Sequence, residues 1–365
     1  MVHADKQIKK ISLILGSYWG QCQGGAELQA HYLEKEALRL GWDTHYSFLS
    51  DGSRYENHEK TILHPINMKK IWIKLGNIKY PYAGHLFHSL STLKPDIIYQ
   101  RGGLSFTGIA AFYAQRNKCK FIFHIAADWD VKPVAITWKR FYLLPEYLLM
   151  QYGIKNADII IAQTQFQKKK LNRHYGRDAI LIPNGHPIPR DCKKDRTEIK
   201  ILWIGNWKPV KQPQIFIKLA GAISPMGKVH FIMLGRTNGY SKLVVDARKN
   251  SIEIRGEIPN DKVNQLLENA HLLINTSYQE GFSNTFIQAW MRRVPVISLK
   301  VDPDNIIQGN GLGRCSGSFN KLVQDTKELI ADNVLRETMG AQARKYAVKH
   351  HSLNNIESIL KLMTD

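Results

Sequence analysis

The chain has 365 residues, enough for two domains of typical size, and 44% of them are hydrophobic and 22% charged. This is the balance of an ordinary globular protein, and it excludes a disordered chain, a collagen-like repeat and a long coiled coil. Fifty-one Lys and Arg against 31 Asp and Glu give a net charge of +20, which predicts an anionic partner such as nucleic acid, an anionic membrane or a phosphorylated substrate.

The positive charge is spread along the chain: residues 1–190 carry +12 and residues 191–365 carry +8. Nothing resembles a basic arm for nucleic acid. The four cysteines lie far apart, without the spacing of a metal site, which predicts a reducing compartment. The polar first ten residues are unlike a secretory signal, and the apolar stretch 141–150 is too short to span a bilayer. The sequence therefore predicts a cytoplasmic protein, at most peripheral to a membrane.

In chain order, the first half begins with an apolar run at 11–16. A glycine-bearing loop and a helix follow, and the helix ends at Gly41. Further apolar runs lie at 96–99, 121–125, 159–162 and 179–182, with helical segments such as 106–115 between several of them. Short buried strands that alternate with helices predict βαβ units and a parallel sheet.

The same pattern starts again in the second half. Apolar runs at 199–204, 229–234, 252–254, 272–275 and 294–299 alternate with helical segments at 214–223, 240–249, 262–270 and 285–292. We therefore expect an α/β protein with two doubly wound, Rossmann-like parallel sheets that face an interdomain cleft. The expected division is a first domain over 1–189, a linker over 190–200, a second domain over 201–340, and a helical tail over 341–365 that could pack back on the first domain.

The strongest functional signal lies in the segment 275–298. A strand ends there, a turn holds Glu280, and a helix is expected to begin at Ser283 or Asn284, both good N-cap residues. The free amides of a helix N-terminus suit a diphosphate, and the Glu280 carboxylate can accept hydrogen bonds from sugar hydroxyls. Gln288 follows one helical turn later on the same face as Asn284.

This segment resembles the signature of glycosyltransferase family 4, the nucleotide-sugar-dependent retaining transferases of GT-B fold. The family carries a Glu followed by Gly-Phe and, after seven intervening residues, a second Glu; the matching positions here are Glu280 and Gln288. The resemblance implies that the first contacts the donor sugar, that the following amides contact the diphosphate, and that the second binds the ribose. Gln288 retains an acceptor oxygen but lacks the charge. The implied donor-binding residues of the segment are Glu280, Gly281, Phe282, Ser283, Asn284 and Gln288.

The resemblance extends over most of the chain. Gly24 and Gly25 are similar to the glycine loop of the family, and His124 stands at the place of its active-site histidine, which approaches the donor sugar. Taken alone, the glycines could be a tight turn and the histidine a satisfied strand-end residue. Their order and spacing along one chain favour function.

A further match begins at Gly205. Lys211 corresponds to the lysine of a family motif whose Arg and Lys hold the diphosphate, whereas Asn206 replaces the Arg and removes one charge. The resemblance thus implies Gly205, Asn206 and Lys211 as nucleotide-binding residues and Glu280, Lys211 and His124 as catalytic residues. Three arginines that could compensate for Asn206 are Arg236, Arg255 and Arg314.

Two Asp-x-Asp triplets, at 128–130 and 302–304, mimic the metal-binding signature of the other large glycosyltransferase class. Two complete βαβ halves fit the GT-B plan instead, so we interpret 302–304 as a loop. Asp128 is interpreted as part of the acceptor or sugar site, with Arg101 as a second acceptor-side candidate. The sequence predicts no metal and no cofactor; the nucleotide sugar, a UDP- or GDP-sugar, is a substrate.

The stretch 68–82 interleaves lysines with Trp72, Tyr80 and Tyr82. Such a pattern suits an anionic membrane surface, a charged acceptor or single-stranded nucleic acid, and it is also typical of an amphipathic surface helix with solvated lysines.

The leading hypothesis is a retaining glycosyltransferase that moves a sugar from a nucleoside diphosphate to a saccharide or lipid-linked acceptor, in cell-surface polysaccharide or glycan assembly. The expected partners are therefore the nucleotide sugar, that acceptor and an anionic membrane surface, and not nucleic acid. A GT-B sugar epimerase shares the fold and is the alternative. A basic nucleic-acid-binding protein fits the charge but leaves the Glu280 segment unexplained.

Overall fold

The computed structural model describes residues 9–52, 54–57, 59–74, 78–133, 138–191, 194, 198–224, 229–237 and 239–364. It divides into two compact units, residues 1–185 with 353–365, and residues 186–352. The described part of the expected linker belongs to the second unit. The expected tail is divided between the two units, because the chain returns to the first unit at Leu353. Cys192 and residues 75–77 of the basic aromatic stretch lie outside the described residues.

The first unit is built on a seven-stranded parallel sheet. Its strands are β1 (Lys10–Leu15), β2 (Asp43–Ser50), β3 (Ile62–Asn67), β4 (Ile97–Arg101), β5 (Lys120–His124), β6 (Ile159–Ala162) and β7 (Ile180–Leu181), in the order β3-β2-β1-β4-β5-β6-β7. Its helices are α1 (Gly25–Arg39), α2 (Lys70–Lys74), α3 (Ala83–Leu93), α4 (Ser105–Asn117), α5 (Leu144–Asn156) and α6 (Gln165–Tyr175).

The second unit repeats this plan with six parallel strands. They are β8 (Ile199–Ile204), β9 (Val229–Leu234), β10 (Glu253–Gly256), β11 (Leu272–Asn275), β12 (Val296–Ser298) and β13 (Gly313–Cys315), in the order β10-β9-β8-β11-β12-β13. Its helices are α7 (Pro213–Ile223), α8 (Ser241–Lys249), α9 (Asn260–Glu268), α10 (Asn284–Met291), α11 (Ile306–Gly309), α12 (Phe319–Ala331) and α13 (Asn333–His350). The last helix, α14 (Asn354–Thr364), belongs to the first unit.

The alternation of side chains across each strand explains why both sheets are covered on both faces. In β1, Ile14 packs with Phe106 in one hydrophobic cluster, whereas Leu13 packs with Leu33 of α1 in the cluster on the other face. Helix α14 adds Ile359 to the second of these clusters. The predicted doubly wound parallel sheets are confirmed.

The strand order fixes where a ligand can bind in each unit. The order reverses between β1 and β4 in the first sheet and between β8 and β11 in the second. At such a switch point the loops that follow the two strands diverge, and a crevice opens beyond their carboxyl ends. Within the described residues, no helix combines the length and hydrophobicity needed to cross a bilayer.

Candidate active site

The two strands that flank the switch point of the second sheet carry an ion pair at their carboxyl ends. Lys211 follows β8, Glu280 follows β11, and the Lys211 Nζ lies 2.8 Å from the Glu280 Oε1. The side chain of Glu280 is 10% exposed and that of Lys211 is 26% exposed, so the pair is mostly but not fully removed from water. The sequence predicted both residues as catalytic, and the strand order brings them into contact.

Glu280 is held in one orientation by residues of its own loop. Its Oε1 also accepts hydrogen bonds from the Asn275 Nδ2 at 2.7 Å and the Ser277 Oγ at 2.5 Å. Burial would raise the pKa of Glu280, but the charge of Lys211 and these hydrogen bonds outweigh it and hold the pKa below its usual value. Among the described residues, none donates a hydrogen bond to the second oxygen, Oε2, which leaves a charged acceptor for a ligand.

The loops of Lys211 and Glu280 are tied together through Thr276. The Thr276 Oγ1 donates to the Lys211 carbonyl at 2.6 Å and accepts from the indole Nε1 of the buried Trp203 at 2.8 Å. The backbone amide of Tyr278 donates to the Val210 carbonyl. The position of Lys211 relative to Glu280 is therefore set by the backbone and not by the ion pair alone.

Helix α10 begins four residues after Glu280 and has no side-chain cap. The N-cap residue is Ser283, as predicted, but its side chain makes no capping hydrogen bond and contacts the Thr285 hydroxyl at 2.9 Å instead. The first turn holds no acidic residue. An uncapped and uncompensated helix N-terminus binds anions, because its free N–H groups and its dipole both favour negative charge.

The side chains of this segment point in different directions. Phe282 is buried and packs against Trp290 and His351, so only the backbone at this position can meet a ligand. Asn284 accepts at 2.9 Å from His186, whose pKa burial lowers to about 4, so the imidazole is neutral.

Gln288 is buried and is held by two asparagines of α9. Its Nε2 lies 3.2 Å from the Oδ1 atoms of both Asn260 and Asn264. With the amide nitrogen engaged in this way, the Oε1 is the atom left to accept from a ligand hydroxyl.

Asn206, which stands where the resemblance implies an arginine, has a structural contact. Its Oδ1 accepts from the Arg236 backbone amide at 2.9 Å, which joins the loop after β8 to the loop after β9. The three arginines considered as substitutes each pair with a carboxylate: Arg236 with Glu257, Arg255 with Glu253 and Arg314 with Glu328. Lys211 is thus the cation that the described structure places beside Glu280.

The switch point of the first sheet has a different arrangement of charge from that of the second sheet. Arg101 ends β4 and is only 3% exposed; its guanidinium contacts the His124 Nδ1 at 2.9 Å and the Asn184 Oδ1 at 2.5 Å. The Tyr99 hydroxyl lies 2.8 Å from the same His124 nitrogen. Burial first, and the charge of Arg101 second, lower the pKa of His124 well below its usual value, so the imidazole is neutral.

The other predicted residues of the first unit have local partners. Gly24 is the N-cap of α1 and Gly25 its first residue, and the Glu27 carboxylate folds back against Gly24, where a Cβ atom would clash with it. Asp128 accepts from Gln167 at 3.2 Å, and the buried Asp130 accepts from two backbone amides. The structure does not test the ligand roles predicted for these residues.

The basic aromatic stretch is divided between surface and core. Trp72 packs against a hydrophobic cluster, and Tyr82 is buried within it, with its hydroxyl accepting from the Lys69 amide at 2.6 Å. The helix in this stretch, α2, is only five residues long. Packing therefore accounts for these two aromatic residues, and the membrane role of this stretch stays a prediction.

The sequence analysis did not identify the residues whose hydrogen bonds orient the predicted site residues. Asn275, Thr276 and Ser277 lie within the segment that gave the strongest signal, and a run of three small polar residues directly after a strand was an available clue. Asn184 and His186 lie at the end of the expected first domain, and the sequence analysis gave neither of them a role in a site.

Two family models match the chain, one in each half. Residues 23–188 match the family described as "Glycosyltransferase Family 4", and residues 198–333 match "Glycosyl transferases group 1". Each half of the chain therefore matches a glycosyltransferase family model, and the two Rossmann-like sheets have the GT-B architecture.

Individual relatives match the chain at low sequence identity. An uncharacterized glycosyltransferase of Methanocaldococcus jannaschii is 26% identical over 206 residues, 54% of this chain and 57% of that protein. The poly(ribitol-phosphate) alpha-N-acetylglucosaminyltransferase of Staphylococcus aureus is 24% identical over 219 residues, 56% of this chain and 44% of that protein. The chain thus matches about half the length of these relatives. The crystal structure of Anabaena HepE with UDP and glucose superposes with a TM-score of 0.74 at 16% identity, covering 98% of this chain and 99% of that one.

Proposed function

We propose that the protein transfers a sugar from a UDP- or GDP-sugar to a saccharide or lipid-linked acceptor with retention of configuration, in the assembly of cell-surface polysaccharide. The observation that carries the proposal is the Lys211–Glu280 pair beside the uncapped N-terminus of α10, at the switch point of the second sheet. The names of two similar proteins support it, since one is an N-acetylglucosaminyltransferase and the other was crystallised with UDP and glucose.

In this proposal the second unit binds the donor. The Lys211 ammonium, which has further N–H groups besides the one directed at Glu280, and the amides of α10 hold the diphosphate. The free Oε2 of Glu280 accepts hydrogen bonds from hydroxyls of the sugar, and the Oε1 of Gln288 accepts from the ribose. Each of these groups is fixed by its own neighbours before the donor arrives, which lowers the entropic cost of binding.

The chemical step follows from these positions. The bond between the anomeric carbon and the diphosphate oxygen breaks, and the acceptor hydroxyl attacks from the same face. The proton of that hydroxyl passes to the departing diphosphate. Negative charge that develops on the diphosphate is stabilised by Lys211 and the amides of α10, which are oriented in advance. This route needs no nucleophile from the protein, no metal and no cofactor.

We assign the acceptor to the first unit. Arg101, His124 and Asp128 lie at or beyond the carboxyl ends of β4 and β5, where the fold places ligands. His124 is fully buried with both ring nitrogens against the Arg101 guanidinium, so in this proposal it acts by positioning Arg101. We place the reaction in the cytoplasm, because the four cysteines lie far apart along the sequence, without the spacing of a disulfide framework.

A thermal-shift screen of nucleotide sugars tests the proposal. We expect one UDP- or GDP-sugar to raise the melting temperature of the wild-type protein and of Lys208→Ala, in which an exposed lysine of the same loop is lost. The Lys211→Ala variant should show a much smaller shift. The absence of any nucleotide-sugar shift with the wild-type protein would contradict the proposal. Product analysis with the ligand found then distinguishes glycosyl transfer from epimerisation.

A further inference from the structure

Trp129 differs from the other tryptophans that the structure describes, because its side chain is exposed to water. Trp129 is 64% exposed, and Trp72 packs against a hydrophobic cluster. Tryptophan is highly buried on average, since its large apolar ring is costly to leave in water. The tryptophans that are 9% exposed or less are Trp19, Trp42, Trp203, Trp207 and Trp290.

Trp129 lies beyond the carboxyl end of the first sheet, where folds of this kind bind ligands. It belongs to a single 3₁₀-helical turn, Asp128–Val131, which follows β5. This turn is tied to the loop after β4, because the Asp130 carboxylate accepts a hydrogen bond from the backbone amide of Gly103. Gly103 comes two residues after Arg101. The exposed ring is therefore at the same end of the sheet as the candidate acceptor residues.

The exposure of Trp129 does not come from a loose loop. Asp130, the next residue, is 3% exposed, and its Oδ2 accepts from the amides of Ala126 at 2.8 Å and Ala127 at 3.0 Å. Val131 is fully buried in the hydrophobic cluster of the first unit. The turn is thus fixed on both sides of the tryptophan, and the indole is held in water by a rigid base. A ring that is positioned in advance loses little conformational entropy when a ligand binds to it.

The surroundings of the ring favour a sugar over other ligands of an exposed aromatic side chain. One face of a pyranose ring presents C–H groups with partial positive charge, which can stack on the negative face of an indole. Asp128, whose Oδ1 accepts from Gln167 at 3.2 Å, places a carboxylate next to the indole, and a carboxylate accepts hydrogen bonds from sugar hydroxyls. The same negative charge disfavours nucleic acid and anionic lipid, which need cations beside the aromatic ring.

We propose that Trp129 is the stacking platform for the acceptor, and that the acceptor therefore ends in a pyranose ring. An open-chain polyol carries similar hydroxyl groups but has no flat C–H face, so it does not stack in this way. The inference rests on the proposed function, because that function gives the first unit an acceptor. It extends the proposed function by naming the residue that selects the acceptor and the chemical form of the acceptor's end.

Saturation-transfer NMR with the full chain tests for stacking in the absence of a donor. The probes are the methyl glycosides of glucose, galactose, mannose, N-acetylglucosamine and N-acetylgalactosamine, and glucitol is the open-chain control. We expect saturation transfer to the ring C–H groups of at least one glycoside with the wild-type protein and with Trp129→Phe. With Trp129→Ala the transfer should fall to the level seen with glucitol.

The matched control is Phe141→Ala, which removes another aromatic side chain of the first unit that is 60% exposed. It should give the same transfer as the wild-type protein. The melting temperatures of all three variants should stay near that of the wild-type protein, because the replaced side chains are exposed. Equal transfer with Trp129→Ala and the wild-type protein would overturn the proposal. Transfer to glucitol as strong as to the glycosides, or no transfer to any glycoside, would overturn it as well.

Kinetics separate this inference from the proposed function. With the nucleotide sugar found by thermal shift and the glycoside found by NMR, Trp129→Ala should raise the KM for the glycoside. Its kcat/KM should fall by about 10–100-fold, by analogy with the loss of an aromatic ring that stacks on a nucleobase. The thermal shift caused by the nucleotide sugar should be unchanged. Normal transfer by Trp129→Ala would refute the role of Trp129 alone, whereas a wild-type protein that no nucleotide sugar stabilises would contradict the proposed function.

Discussion

The two sheets have the same plan but differ in how charge is placed at their switch points. In the second unit a partly exposed Lys211 meets Glu280 beside an uncapped helix with no acidic residue in its first turn. In the first unit the buried Arg101 meets the neutral groups of His124, Tyr99 and Asn184. The helix after β1 carries Glu27 in its first turn, folded against the N-cap.

This difference indicates which unit can bind a diphosphate. An anion that enters the second unit gains from a cation and from the N-terminus of α10, and among the described residues Glu280 is the carboxylate that competes with it there. At α1 of the first unit the carboxylate of Glu27 already lies at the helix N-terminus, so a second anion there would be repelled. The contrast supports our proposal that the second copy of the fold binds the nucleotide and the first binds a neutral hydroxylated ligand.

The largest effect is expected from Lys211→Ala. Removing a cation that is oriented in advance should lower turnover by about 10²–10³-fold, or about 2.7–4 kcal/mol, by analogy with the loss of an oxyanion-hole donor. The arginines that could replace it are already paired with carboxylates. Steady-state kinetics and the melting temperature are measured for Lys211→Ala and Lys208→Ala. Kinetics of Lys211→Ala close to those of Lys208→Ala would remove the basis for placing the diphosphate in the second unit.

A smaller effect is expected from Glu280→Gln. The glutamine keeps an acceptor for Asn275 and Ser277 but loses the charge that faces the sugar hydroxyls, and a hydrogen bond to a charged group is worth about 1.5–3 kcal/mol. We expect turnover to fall by about 10–100-fold, and binding of the intact nucleotide sugar to weaken more than binding of the free nucleoside diphosphate. Calorimetry with both ligands provides the measurement.

Glu280 has a structural alternative as well. If it only complements the dipole of α10, the substitution should lower stability by about 0.3–1 kcal/mol and leave turnover intact. A variant that melts earlier but turns over normally would therefore show that Glu280 does not bind the donor sugar.

The difference between the units can be tested in the first unit through Arg101. The pKa of His124 lies well below its usual value because of burial and the charge of Arg101, so His124 is neutral and activity should fall only at acidic pH. In Arg101→Met the burial remains but the charge is lost, so the pKa of His124 rises and the acidic limb of the kcat/KM profile moves to higher pH. Arg101→Lys keeps the charge, and its limb should stay near that of the wild-type protein.

The same pair of variants distinguishes positioning from electrostatics. The acidic limb of the pH profile could move equally in Arg101→Met and Arg101→Lys. In that case the hydrogen-bonding geometry of the guanidinium, and not its charge, sets the pKa of His124. An unmoved limb in both would mean that His124 takes no part in the pH dependence.

Much of the fold could be predicted because hydrophobic runs fully buried in a parallel sheet are visible in the sequence. The strands β6, β8, β9 and β11 begin and end at the predicted residues. Three strands were missed for physical reasons. Strand β13 has only three residues, Gly313–Cys315, and includes the charged Arg314. Strand β2 places polar side chains such as His45 and Ser47 in buried positions, and β3 is an edge strand, largely exposed and containing Pro65.

The candidate site was only partly predictable. The family resemblance pointed to Lys211 and Glu280 separately, but their contact depends on β8 and β11 being neighbours, which the sequence order does not state. The contact of Arg101 with Asn184 joins positions even further apart along the chain. Such pairings are set by sheet topology, so local patterns cannot reveal them.

The smallest effect is expected from removing divalent metals. Lys211 and the amides of α10 already provide positive charge where the diphosphate is proposed to bind, so activity after exhaustive chelation should equal that of the untreated protein. In the first unit, the Asp-x-Asp triplet that could hold a metal has other partners: Asp130 accepts from the amides of Ala126 and Ala127, and Asp128 accepts from Gln167. A metal would have to displace these contacts. Activity that is lost on chelation and restored by manganese or magnesium would contradict this prediction. It would indicate that the first unit holds a metal ion, so that the two units would no longer differ in their use of charge. Retained activity in Asp128→Asn after the same treatment would show that the triplet takes no part in metal-dependent chemistry.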